Sequence, residues 1–196
     1  MKNNIITISR EYGSGGRCIG EEVAKRLGIA YYDKVILEEV AKETGFDKDF
    51  VEKKAEYSPF KSAFAYAFVG RDTNGVSVDD YLFTVQRKII LECAEKGPCV
   101  IVGRCADDIL SDRDDCLNIF IHGNIDAKIE RIIARHDVTE KEAVKMMREI
   151  DKKRSINYKY HTEKVWGQAN NYDMSLNSSR LGEEKCIELI MQLYNS

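Results

Sequence analysis

The strongest constraint on this chain is the handover near its start. Ile5, Ile6 and Ile8 form a short β-branched run that stops at Ser9. A glycine-rich segment, Arg10-Glu11-Tyr12-Gly13-Ser14-Gly15-Gly16-Arg17, then leads into a helical pattern from Cys18 to Leu27 that Gly28 closes. Gly13, Gly15 and Gly16 leave room for backbone N–H groups to point inward, and the helix N-terminus adds positive potential. Together these favour a bound phosphate. A glycine-rich turn can also do no more than reverse the chain. Its place between a first strand and a first helix is what makes Arg10 to Cys18 a candidate phosphate loop.

The remainder alternates strand and helix. Ala30-Tyr31-Tyr32 reads as a short strand, and Asp33 as the cap of a helix carrying Val35, Ile36, Leu37 and Val40 that ends at Gly45. Asp80 opens a helix with Leu82, Val85, Ile89, Ile90 and Cys93 at helical spacing, and Gly97-Pro98 ends it. The continuous apolar run Cys99-Val100-Ile101-Val102 then predicts a central strand covered on both faces. Leu117 to Ile121 is another strand, followed by a helix begun at Asn124; Thr139 with Glu142 is a capping box for the next helix. A strand around Asp173 to Leu176 precedes an amphipathic C-terminal helix. This alternation specifies an α/β fold with a mostly parallel sheet. The 196 residues suit a single domain. Residues 46–79 are less regular. There Phe50, Tyr57, Phe60, Phe64, Tyr66 and Phe68 are too apolar for a linker and predict short packed helices.

Charge narrows the function. Thirty basic and 33 acidic residues are mixed along the chain to a net −3, so no global field draws in nucleic acid, and a phosphate site must be local. No stretch is apolar enough to span a bilayer, and the protein is expected in the cytosol. Cys18, Cys93, Cys99, Cys105, Cys116 and Cys186 include no C-x-x-C pair and no histidine at ligand spacing, so they read as mostly buried thiols. Nothing in the chain sets an oligomeric state.

Four segments carry a resemblance: Ile8 to Arg17, the pair Tyr32-Asp33, Val100-Ile101-Val102-Gly103-Arg104, and Tyr172-Asp173-Met174-Ser175-Leu176-Asn177-Ser178. Together they resemble the cytidylate kinase-like family over most of the chain, from Ile5 to the final helix. The resemblance implies the P-loop nucleoside monophosphate kinase fold, with a five-stranded sheet flanked by helices. It also implies an NMP-binding insertion at 46–79 and a mobile lid at 148–170. The implied reaction moves the γ-phosphoryl of ATP, with Mg2+, to a nucleoside monophosphate, CMP or dCMP first. On this resemblance Gly13, Ser14, Gly15, Gly16 and Arg17 hold the donor phosphates and Arg104 meets the acceptor phosphate. Arg148, Asp151 and Arg154 correspond to a lid set of arginine, aspartate and arginine whose first spacing differs by one residue. Arg17, Asp33, Arg148 and Arg154 are the implied catalytic groups, with Asp33 orienting the acceptor or a magnesium-bound water. Such arginines suit phosphoryl transfer, which needs stabilisation of charge on equatorial oxygens more than covalent help.

The loop departs from the usual G-x-x-x-x-G-K-S/T. Arg10 stands for the first glycine, Gly16 for the lysine and Arg17 for the hydroxyl residue. Arg17 could supply the lysine's charge from one position further on, but an arginine cannot ligate magnesium, and no protein ligand for the metal is assigned. Two other readings stay open: a non-catalytic nucleotide-binding regulatory module with a degenerate loop, and a kinase for another small metabolite. Asp33 also reads as a plain N-cap, and Arg104 as an ion-pair partner of Asp107 or Asp108 one turn on. The run Arg148, Lys152, Lys153, Arg154, Lys159 and Lys164 also reads as a solvated helix face. His122, His136 and His161 read as structural, and Ser178 and Ser179 as cap residues.

Overall fold

The computed structural model describes residues 4–56 and 77–196. Strands β1 (Ile5–Arg10), β2 (Ala30–Tyr32), β3 (Cys99–Val102), β4 (Cys116–His122) and β5 (Met174–Asn177) form an all-parallel sheet in the order β2-β3-β1-β4-β5. The helices are α1 (Gly16–Leu27), α2 (Lys34–Thr44), α3 (Lys48–Glu56), α4 (Val78–Glu95), α5 (Ala106–Ile109), α6 (Ile125–His136), α7 (Glu140–Thr162), α8 (Ser178–Leu181) and α9 (Glu183–Tyr194).

Strand side chains alternate between two cores, as a sheet covered on both faces requires. Ile5, Cys99 and Ile101 pack with Ile36, Leu37, Val40, Ile89 and Ile90 of α2 and α4. Ile6, Ile8, Val100, Val102, Ile119 and Ile121 pack with Ile19 and Val23 of α1 and with Ile187 and Ile190 of α9. Each buried isoleucine contributes roughly 1.5–3 kcal/mol, so this two-sided burial is the main force holding the central strands. Thr7 and Ser9, on the Ile5 side of β1, are also buried. Thr7 spends its hydroxyl on Asn118 Oδ1 at 2.6 Å. Ser9, at the strand's end, lines a cleft.

Local signals fix most helix ends. Thr139 and Glu142 form the expected capping box. The helix predicted from Asp80 starts two residues earlier, because the hydroxyl of Ser77 accepts the Asp80 N–H at 3.1 Å and supplies the cap. α1 begins at Gly16 rather than Cys18, so two of the loop residues are already its first turn. In the irregular region, α3 and the start of α4 are helical as expected; Tyr57, Phe60, Phe64, Tyr66 and Phe68 lie outside the described residues. Residues 148–162 lie within the 23-residue α7. All six cysteines are free, four buried, Cys116 partly so and Cys18 exposed. Among the described residues no helix is long and apolar enough to cross a membrane.

Candidate functional site

Because the strands are parallel, their C-terminal ends meet at one edge, with β1 between β3 and β4 where the strand order reverses. Open α/β sheets bind ligands at such a switch point. The phosphate loop leaves β1 there, Asp33 follows β2, Gly103 to Cys105 follow β3, Gly123 follows β4, and Ser178 follows β5.

The loop is held from several sides. Glu11 N–H donates to Ile121 O at 2.9 Å, Ser14 Oγ donates to Glu11 O at 2.8 Å, and Ser178 Oγ donates to Ser14 O at 2.6 Å. Arg131 Nη1 donates to Gly13 O at 3.0 Å. Gly13 and Gly15 adopt φ of 78° and 80°, open to glycine at little cost. At Gly16 the reason is space, since an added Cβ would lie 2.6 Å from Arg10 Cβ and 3.1 Å from Ile121 Cβ. Ile19 N–H closes the first turn of α1 on Gly15 O at 3.0 Å. The N–H groups of Gly13, Gly15, Arg17 and Cys18 meet no acceptor among the described residues. A helix start with open amides favours a nearby anion.

Beside the loop lies a cleft of ≈ 100 Å³ whose lining includes Arg10, Arg104, Lys153 and Arg154 and, among the described residues, contains no acidic side chain. Gln86, Asn157 and Trp166 also line it. The turn after β3 is strained: Gly103, Arg104 and Cys105 have φ of 74°, 64° and 55° in succession. A non-glycine residue in this region costs on the order of 1–3 kcal/mol and persists where its surroundings hold it. Here Gly103 N–H donates to Ile8 O at 2.9 Å and Gln86 Nε2 donates to Arg104 O at 3.2 Å. A side chain at Gly103 would overlap Arg10 Nη1, so the glycine makes room for that guanidinium. Burial and the nearby Arg154 push the Arg10 guanidinium below the usual arginine range, with Asp33 opposing. Behind the cleft, Tyr158 donates its hydroxyl to the buried Asp107 at 2.7 Å, and burial raises the Asp107 carboxyl above the usual range.

Asp33 sits at the head of α2 but makes no side-chain cap. Its carboxylate is 5 % exposed and lies 2.9 Å from Arg17 Nε and 3.8 Å from Arg10 Nη2. Asp151 turns toward the loop, where its Oδ1 accepts the Tyr12 N–H at 2.7 Å. Arg154 donates Nη1 to Arg10 O at 2.9 Å. Arg104 and Arg154 thus meet at the cleft, and Arg17 reaches Asp33 at the loop's start. Arg148 lies on the exposed side of α7 and is not part of the lining. Asp107 and Asp108 are engaged by Tyr158 and by Lys164 at 2.7 Å, respectively. Sequence reasoning placed Arg10 in the loop, Lys153 on a basic helix face and Ser178 at a cap, and missed that the first two line the cleft and the third holds the loop. The position of Arg10 at the end of a central strand was the available signal for it.

The architecture has known counterparts. A model of the cytidylate kinase-like family matches residues 5–180. A cytidylate kinase from Methanopyrus kandleri is 24% identical over 95% of this chain and 90% of its own. An uncharacterized protein from Eubacterium ventriosum shares 29% identity with a TM-score of 0.75, covering 98% of both chains. Shikimate kinase from Bacteroides thetaiotaomicron shares the fold at 14% identity and a TM-score of 0.53, over 96% of this chain and 97% of that one. The family match spans the phosphate loop and every strand of the sheet, and the chain belongs to the cytidylate kinase-like family.

Proposed function

We propose that the protein is a kinase that moves the γ-phosphoryl of ATP to a small phosphorylated acceptor, with CMP or dCMP as the first candidate. The observation that carries this is the cleft beside the phosphate loop, where Arg10, Arg104, Lys153 and Arg154 gather on one lining. Cations brought together this way repel one another, and an anionic ligand relieves that repulsion. In this reading the open amides of the loop hold the donor phosphates, and Arg104 takes the acceptor phosphate. Arg154, placed between loop and cleft, stabilises charge on the transferring group. Arg17 lies beside Asp33 and fixes that carboxylate at the loop's edge.

The phosphates fit this site; a protein cage for magnesium does not. Arg17 occupies the hydroxyl position of the loop, Asp33 is engaged by two arginines, and no group of three or more metal-ligating side chains occurs among the described residues. Any Mg2+ accompanying ATP would then rely on phosphate oxygens and water rather than on this chain's side chains.

The absence of the loop lysine favours a second reading, a nucleotide-binding regulatory module that binds phosphate without transferring it. A transfer assay with ATP and a panel of nucleoside monophosphates separates the two. Turnover with CMP that Arg104→Ala weakens through the acceptor KM supports the first reading. Turnover only with a different acceptor removes the CMP assignment, and ATP binding without any transfer supports the regulatory module.

A further inference from the structure

A buried cation lies against the phosphate loop and takes no part in the cleft. Lys128, in the first turn of α6, has a side chain only 6 % exposed. Its Nζ lies 2.8 Å from Glu11 Oε2 and 3.8 Å from Asp151 Oδ2. We propose that Lys128 is a positioning residue that, with Glu11 and Asp151, forms an ionic strut fixing the phosphate loop to α7 in its donor-binding shape.

The contacts on either side of the strut make the case. Asp151 accepts the N–H of Tyr12 at 2.7 Å, while Arg154, one turn further on, donates to the carbonyl of Arg10 at 2.9 Å. Thus α7 grips the backbone on both sides of Glu11. Glu11 Oε2 accepts the N–H of Gly123 at 3.2 Å, which ties the same side chain to the end of β4. Arg154 Nη1 also lies 3.5 Å from Asp151 Oδ1, but Lys128 is the cation that reaches both carboxylates and offsets their repulsion. The loop also passes directly over this residue, since a Cβ at Gly13 would meet Lys128 O at 2.8 Å and Lys128 Cβ at 3.1 Å. Without the ammonium, Glu11 and Asp151 repel each other and the hold of Asp151 on the Tyr12 N–H weakens. Arg10 O stays bound through Arg154, so the loosening falls on Tyr12 to Gly16, where the donor phosphates bind.

The strut itself stands on geometry; its catalytic consequence rests on the kinase reading. The test is hydrogen exchange of the Tyr12 to Gly16 amides in the parent, Lys128→Met and Lys128→Arg, followed by steady-state kinetics with ATP and CMP. Lys128→Met is expected to speed Tyr12 exchange about tenfold or more. It should raise the donor KM about tenfold while moving the acceptor KM less than about twofold. Lys128→Arg should restore both. Ile190→Val, a mild core change in α9, serves as the control in which a small loss of stability alone should leave Tyr12 protected. Unchanged Tyr12 exchange in Lys128→Met overturns the strut whatever the activity, and equal rises in both KM values overturn its donor-specific role. If the parent transfers no phosphoryl group, the kinase reading fails and exchange alone decides the strut.

Discussion

Replacing Asp33 by Asn keeps the shape of the side chain and removes its charge. Asp33 is 5 % exposed and faces Arg17 at 2.9 Å and Arg10 at 3.8 Å. Burial and Arg154 already depress the Arg10 guanidinium, Arg104 adds to that, and Asp33 leads the groups that oppose it. Two unit charges 3.8 Å apart attract by about 4 kcal/mol at an effective dielectric near 20. Removing one partner of a buried pair costs about 3–5 kcal/mol, because the other charge stays behind. Arginine does not readily shed its proton, so Arg10 has little escape. The Arg17 pair is over a third exposed on the arginine side and adds little. A loss of about 3 kcal/mol follows, which lowers the melting temperature of a chain this size by roughly 6–12 °C. Thermal unfolding followed by circular dichroism reads it directly. A cycle with Arg10→Met and the double variant should give a coupling of about 2 kcal/mol or more. An Asp33→Asn melting temperature within about 2 °C of the parent, or a coupling near zero, would refute the reasoning.

Three further outcomes follow from the same geometry. Gly16→Ala places a Cβ against Arg10 Cβ and Ile121 Cβ, atoms close to the backbone that cannot swing aside. It should cost about 1–3 kcal/mol and weaken ATP binding at least about tenfold, checked by urea unfolding and titration. Arg154→Gln should lower kcat/KM by about a hundredfold or more in a transfer assay, whereas Arg148→Gln, on the exposed side of α7, should stay within about threefold. Asp107→Asn tests a pH dependence. Burial raises the Asp107 carboxyl, so between the ordinary aspartate value and the raised one the folded state holds more protons than the unfolded state. The parent should therefore lose stability relative to Asp107→Asn as pH rises through that window, at a slope of up to about 1.4 kcal/mol per pH unit. Urea midpoints across pH that show the opposite slope would contradict it.

Much of the fold could be read from sequence because its signals are local. The isoleucines of β1, the run from Cys99 to Val102 and the Thr139–Glu142 box each occupy the element their pattern predicts. Ser77 was missed as a cap because its helix begins before the apolar periodicity does. Asp33 shows the limit of local rules. Its type and place suit an N-cap, but two arginines outcompete the helix amides for its carboxylate, and only the sheet order brings Arg10 near it. Arg10 is harder still, since its chemistry depends on Gly103 and Arg154, far off in sequence. Asp151 is a lid residue on the family resemblance, and its bond to the Tyr12 N–H depends on how α7 crosses the loop.

If the loop and the arginine-lined cleft together form a phosphoryl-transfer site, one sample of purified protein can reveal it. ATP with Mg2+ and then CMP are titrated in, and ADP release is measured on the same material. Both ligands should bind, and ADP should form only when both are present. Failure of ATP to bind, or binding of both ligands without ADP release, would contradict a phosphoryl-transfer site.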